Sequence, residues 1–128
     1  MRLLLDTHTI FWWCIEISKL PPAVLGAIAA RDNDVSVSMA SAWEMAIKVG
    51  SRKWPEAAGL VDTFENEIAA NGFSILPISV SHVRAAGLMP SPHRDPFDRL
   101  LAAQARIEGL TLVTVDPKVQ ALVPDWLC

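Results

Sequence analysis

Five acidic side chains stand where an α/β chain could gather charge on one rim. Asp6 closes the apolar run Leu3-Leu4-Leu5, and Glu44 lies early in a helix that follows a second short strand. Asp95 and Asp98 open a helix leading into a later strand, and Asp116 comes just after that strand. In open parallel sheets, ligands bind outside the carboxyl ends of the strands, near the point where the strand order reverses. Carboxylates meeting there would suit a hard divalent cation such as Mg²⁺ or Mn²⁺, which takes oxygen ligands. Such ions polarise a phosphodiester, activate a water and stabilise the leaving oxygen. No Gly-rich phosphate loop accompanies these acids.

Each acid also has an ordinary structural explanation. Asp95-Pro96-Phe97-Asp98 is a good helix start, with Asp95 as the cap and Asp98 beside the positive end of the helix dipole. Asp116-Pro117 has the same form, and Ser41 with Glu44 has capping-box spacing. Lys48, one turn after Glu44, offers a simple ion pair. Two details favour chemistry over capping. Asp6 ends what reads as a central strand, where Ser, Thr or Asn would cap more easily. Asp98 is in phase with Leu101, Ala102 and Ala105, so it faces inward and needs a compensating charge. The three histidines, His8, His82 and His93, are irregularly spaced and read as surface or loop residues. Trp12, Trp13 and Trp43 sit in apolar helical stretches, where core or interface packing explains them better than base stacking. Met39 and Met45 read as packing residues on the same ground.

The elements that would position these groups alternate. Leu3 to Leu5 reads as a strand buried on both faces, followed by a helix from about Thr7 to Ile17. Pro21-Pro22 opens a helix through about Arg31, and Val35 to Val37 is a second strand. Ser38 caps a helix that runs to Gly50. Pro55 begins an amphipathic helix through Leu60, Val61, Phe64 and Ile68, stopped by Asn71-Gly72. Phe73 to Ile78 is a third strand, about Ser81 to Leu88 a short helix, and Met89 to His93 a Pro-rich loop. A helix from Asp95-Pro96 closes near Gly109, and Leu110 to Thr114 is a fourth strand. That order predicts one α/β domain over residues 1–128, with a small, mainly parallel sheet flanked by helices on both faces.

Composition supports a folded domain with a partner. At 52% hydrophobic residues, with five Trp and four Phe, the chain has ample material for a core. The apolar share is high enough to suggest a second buried surface. Asp6 interrupts the first apolar run too early for a signal peptide, and the apolar run from Ile10 to Ile15 is too short to cross a bilayer. Cys14 and Cys128 stand far apart, without metal-binding spacing. These features predict a cytoplasmic protein with no membrane association. The net charge of −3 does not exclude a nucleic-acid partner, because cations bound at an acidic site would neutralise several carboxylates.

Four fragments carry a resemblance. They are Leu3 to His8, Ser41 to Lys48, His93 to Ala105, and Leu112 to Asp116. In this order and at these separations, the sequence resembles the PIN-domain family, specifically the toxin ribonucleases of VapBC-type toxin–antitoxin systems. The resemblance covers nearly the whole chain. It implies a PIN-like fold and an acidic triad of Asp6, Glu44 and Asp98, with Asp116 as a fourth acid. All four are implied both as catalytic residues and as metal ligands, with Asp95 left to capping and support. It further implies a Mg²⁺- or Mn²⁺-dependent endoribonuclease acting on an RNA substrate, a likeness to homodimers, and inhibition by a small cognate antitoxin. After the fourth acid, relatives often carry an aromatic turn, where this chain has Pro117-Lys118-Val119-Gln120.

The alternative of a different class is a catalytically silent PIN-like binding or scaffold module; retention of all four acids favours the enzyme. A haloacid-dehalogenase phosphatase would want Asp where His8 stands, and a response-regulator receiver would want paired acids after its first strand. Ile10, Phe11, Trp12, Trp13 and Ile15, with Leu60, Val61, Phe64 and Ile68, form two apolar stripes, and the resemblance implies that a groove between such helices receives an antitoxin segment.

Overall fold

A computed structural model describes all of residues 1–128. Its centre is β1 (Arg2–Leu5), whose three leucines are completely buried. Asp6 ends the strand and caps α1 (Thr7–Ile15), after which a 3₁₀ turn at Ile17–Lys19 leads to α2 (Pro22–Ala29). Next come β2 (Asp34–Ser38) and α3 (Met39–Gly50), joined without a loop because Ser38 ends the strand and caps the helix by accepting from the Ala40 N–H.

The single amphipathic helix expected after Pro55 is instead three pieces. A 3₁₀ turn at Pro55–Ala57 is followed by α4 (Ala58–Asp62) and α5 (Phe64–Ala70). The break falls at Thr63, whose hydroxyl and N–H both turn back onto the Gly59 carbonyl. A β-branched residue with such local hydrogen bonding competes with helix continuation.

The chain then forms β3 (Ser74–Leu76), α6 (Val80–Leu88), α7 (Pro96–Glu108), β4 (Thr111–Val113), α8 (Pro117–Gln120) and β5 (Trp126–Leu127). Gly109 ends α7 with a φ of 67°, a left-handed conformation that glycine adopts without strain. The fifth strand is absent from the sequence reading, since two residues carry no period.

All strand pairs are parallel, in the order β3-β2-β1-β4-β5. The order reverses between β1 and β4, which places a crevice at their carboxyl ends. Alternation along the strands divides the core between two faces. Leu3, Leu5, Val37 and Val113 pack with α1, α2, α4 and α5 on one side. Leu4 and Leu112 pack with Leu100, Leu101 and Ala105 of α7 on the other. Complete burial of each leucine contributes about 1.5–3 kcal/mol relative to exposure.

Two expectations about surfaces change. Ile10, Phe11, Leu60, Phe64 and Ile68 belong to the first core, so they are not an open groove. Both predicted stripes are buried in the same apolar layer. Of the proposed groove residues, only Ile15 is exposed, while Trp12, Trp13 and Val61 are half-buried. His82 is not a surface residue but is buried: its ring completes the cap of α6 with Ser79 and meets Glu108 at 2.9 Å.

Candidate functional site

Asp6 is held from two directions. Its Oδ1 accepts from the Thr7 N–H at 2.7 Å, and its Oδ2 accepts from the Thr114 hydroxyl at 2.7 Å. The parallel register pairs Leu5 with Val113, so the next residue on each strand brings Asp6 beside Thr114. Thr114 in turn accepts from the Asp116 N–H at 3.1 Å. One hydroxyl thus links two of the acids.

Glu44 is buried on α3, and its Oε2 meets the Lys48 ammonium at 2.7 Å. The Ser41–Glu44 capping box does not form, because Ser38 is the cap and Ser41 lies inside the helix. Ser41 instead bonds the Thr7 hydroxyl at 3.0 Å and ties α3 to α1. The other Glu44 oxygen, Oε1, is the one buried side-chain polar atom in the molecule without a partner. A buried, unpaired carboxylate oxygen is costly unless a cation or donor completes it.

Asp95 caps α7, with Oδ1 accepting from the N–H groups of Phe97 and Asp98 at 2.9 and 3.2 Å. Asp98 faces inward, as its helical phase predicts, and its Oδ2 lies 2.8 Å from His93 Nε2. The sequence places His93 in a loop, and its spacing from the other histidines carries no signal for this contact. Asp116 caps α8 by accepting from the Lys118 N–H at 2.9 Å.

These elements bring all five acids to one cavity of about 340 Å³, which His8 and Lys48 also line. Two of them, Asp6 and Asp98, are perturbed. Burial raises the Asp6 carboxyl above its ordinary range and Glu44 adds to the rise, while the Thr114 and Thr7 bonds and His8 oppose it. Asp98 is pushed up to about 6, by burial first, with His93 opposing and the charges of Asp95, Asp6 and Glu44 adding.

The carboxylates surround the cavity without closing into a chelating cage of three. The donor set fits a hard divalent ion nonetheless. It is all oxygen, it repels itself, and it includes the unpartnered Glu44 oxygen. Mg²⁺ keeps several waters and needs only one or two direct carboxylates.

A doubly wound parallel sheet with an acidic cavity at its strand-order reversal has its charged groups where open α/β sheets bind their ligands. The PIN-domain family profile matches residues 3–123, and the chain belongs to the PIN-domain family. Among its relatives, Ribonuclease VapC22 of Mycobacterium tuberculosis is 30% identical, over 92% of this chain and 89% of that protein. Two solved structures share the fold. VapBC2 from Rickettsia felis, bound to a DNA fragment from its promoter, has a TM-score of 0.68 at 19% identity, covering 99% of this chain and 96% of its own. FitAcB from Neisseria gonorrhoeae has a TM-score of 0.67 at 21% identity, covering 98% and 95%. No helix is long and apolar enough to cross a membrane.

Proposed function

We propose that this chain is a divalent-metal-dependent endoribonuclease and the toxin half of a toxin–antitoxin pair. The observation that carries the reading is the convergence of Asp6, Glu44, Asp98 and Asp116, from four separate elements, on one cavity with an unpartnered carboxylate oxygen. The likeness to Ribonuclease VapC22 supports RNA as the substrate.

These four acids would hold Mg²⁺ or Mn²⁺, with Asp95 in support. When bound, such an ion supplies positive charge to the phosphodiester and acidity to a water. The chain's own residues prepare the site. Thr7 and Thr114 fix both oxygens of Asp6, which sets the direction of its remaining lone pairs. His93 orients Asp98 from the loop side. Lys48 holds Glu44 by one oxygen and leaves the other free, and its ammonium lines the cavity where a phosphate would approach.

The Glu44–Lys48 pair also favours a second reading, a catalytically silent module, because it half-neutralises an acid without any metal. Purified protein incubated with labelled RNA in Mg²⁺, Mn²⁺ and EDTA separates the two. Cleavage that needs the metal and disappears in Asp6→Asn supports the enzyme, and intact RNA in both metals supports the silent module.

Two protein partners accompany the reading. A second copy would cover Met39, Trp43 and Ile47, which are spaced four apart on α3 and all exposed, with Trp43 edge-on to Phe97 at 5.0 Å. An antitoxin segment would lie along the exposed Ile15 and Ile17 and the half-buried Trp12, the last of which lines the acidic cavity.

A further inference from the structure

A groove of about 830 Å³, larger than the acidic cavity, lies between the 89–94 loop, α7 and α8. We propose that this groove seats the phosphate backbone of the RNA strand whose scissile bond lies at the acids. The proposal rests on the ribonuclease reading and names the part of the site that grips the strand.

Arg94, Arg106 and Lys118 line the groove, and no acid does. None of the three takes part in the molecule's four ion pairs, and none of their side chains makes a hydrogen bond within the chain. Three unneutralised cations, from three separate elements, therefore line one groove in a protein of net charge −3. An acidic protein has no general excess of basic surface to explain such a cluster. Cations left free at a concave surface attract an extended polyanion and release its counterions.

The groove adjoins the acidic cavity at two points. His93 lines the groove and also contacts Asp98 at 2.8 Å, so a single side chain separates the two. Lys118 stands two residues after Asp116, and its N–H is held by the Asp116 carboxylate. A strand with one phosphate at the acids would run directly onto the cations. The volume exceeds what one phosphate fills, which favours a chain of them.

The groove is also built in advance. The Arg99 guanidinium donates to the carbonyls of Ala86, Gly87, Met89, Ser91 and His93 and so fixes the loop that forms one wall. Pro90 and Pro92 restrict the same loop further. No Trp or Phe lines it, so the grip is electrostatic, without a stacking platform, and reads the backbone rather than the bases.

The test measures anisotropy of a fluorescein-labelled, single-stranded, twelve-nucleotide RNA of mixed sequence in EDTA, which keeps the RNA intact. Salt is varied between about 50 and 200 mM. Arg106→Ala and Lys118→Ala should each reduce the slope of log affinity against log salt by about 0.7, which is about five-fold in affinity at 0.1 M salt. Arg106→Lys should keep the slope. Arg31→Ala, on the exposed turn after α2, sets the effect of net charge alone.

Losses no larger than that of Arg31→Ala, or no salt-dependent binding by the wild type, would overturn the proposal. So would displacement of the RNA by an oligoglutamate of equal charge with the same dependence on Arg106 and Lys118, which would mark a groove for acidic peptides. Cleavage in Mg²⁺ is assayed separately. Groove-dependent binding without cleavage by the wild type would sink the ribonuclease reading and leave the groove standing. Cleavage with groove-independent binding would do the reverse.

Discussion

His93 Nε2 and Asp98 Oδ2 meet at 2.8 Å, joining a Pro-rich loop to the first turn of the helix that presents the acid. Asp95, one turn earlier, spends its Oδ1 on the backbone of that same turn. Two acids three residues apart therefore do different work, since one is a cap and the other is aimed into the cavity.

That difference predicts a separation of effects. Asp98→Asn or Asp6→Asn should lower RNA cleavage on the order of 10²-fold or more, as loss of one strong electrostatic element does. Asp95→Ser keeps a capping oxygen and should lose less activity than Asp98→Ser, while Asp95→Ala should cost about 1 kcal/mol of stability. Cleavage rates and thermal melts on the purified variants check both parts. Equal activity losses for Asp95→Ser and Asp98→Ser would show the roles to be misassigned.

Stability should fall as pH rises in the absence of metal. The Asp98 carboxyl, at about 6 in the folded protein against 3.8 as its ordinary value, binds its proton more tightly when folded. Its contribution is fully present below the ordinary value and is lost as pH climbs to about 6. Solvent screening of the partly exposed carboxyl reduces the full value, so the loss is on the order of 2 kcal/mol, and the raised Asp6 carboxyl acts in the same direction. Urea unfolding in EDTA at about pH 4 and pH 7.5 reads this directly. Asp98→Asn should flatten the difference, and saturating Mg²⁺ should restore stability at the higher pH. Wild-type stability that rises across this interval would contradict the charge arrangement.

Arg99 is expected to be a positioning residue. Its planar fork serves five carbonyls, a geometry that an ammonium cannot reproduce. Arg99→Lys should destabilise the protein by about 1.5–3 kcal/mol, the scale of a lost charged hydrogen bond, and open the 89–94 loop to proteases. Activity should fall with it, because His93 then no longer holds Asp98. Limited proteolysis beside a cleavage assay tests the coupling. A loosened loop with unchanged pH dependence of cleavage would show that the loop does not orient Asp98.

Trp43 gives a test of assembly. Its exposure of 55%, between Met39 and Ile47 on one helix face, leaves an apolar surface for a second copy. On the proposed dimer, the wild type should run as a dimer and Trp43→Glu as a monomer, with the fold intact by circular dichroism. Light scattering that gives one mass for both proteins would remove α3 from the interface.

What the sequence determined by itself is mostly what local period and end signals can encode. The leucines before Asp6 marked a buried central strand, and the phase of Asp98 with Leu101, Ala102 and Ala105 marked an inward acid. Ser38 and Gly109 marked helix ends that the structure has. Tertiary structure decided what crosses the chain. The Thr114 bond to Asp6 spans 108 residues and exists only because β1 and β4 pair in one parallel register. A one-residue slip would turn every side chain to the other face, so no local pattern can specify that partner. Whether Glu44 spends both oxygens on Lys48 or keeps one free is likewise settled by packing around α3, not by their four-residue spacing. The same holds for the stripes on α1, α4 and α5. Amphipathic period shows that a face will be buried, but only the assembled layers show that these stripes share one core while Met39, Trp43 and Ile47 of α3 stay exposed.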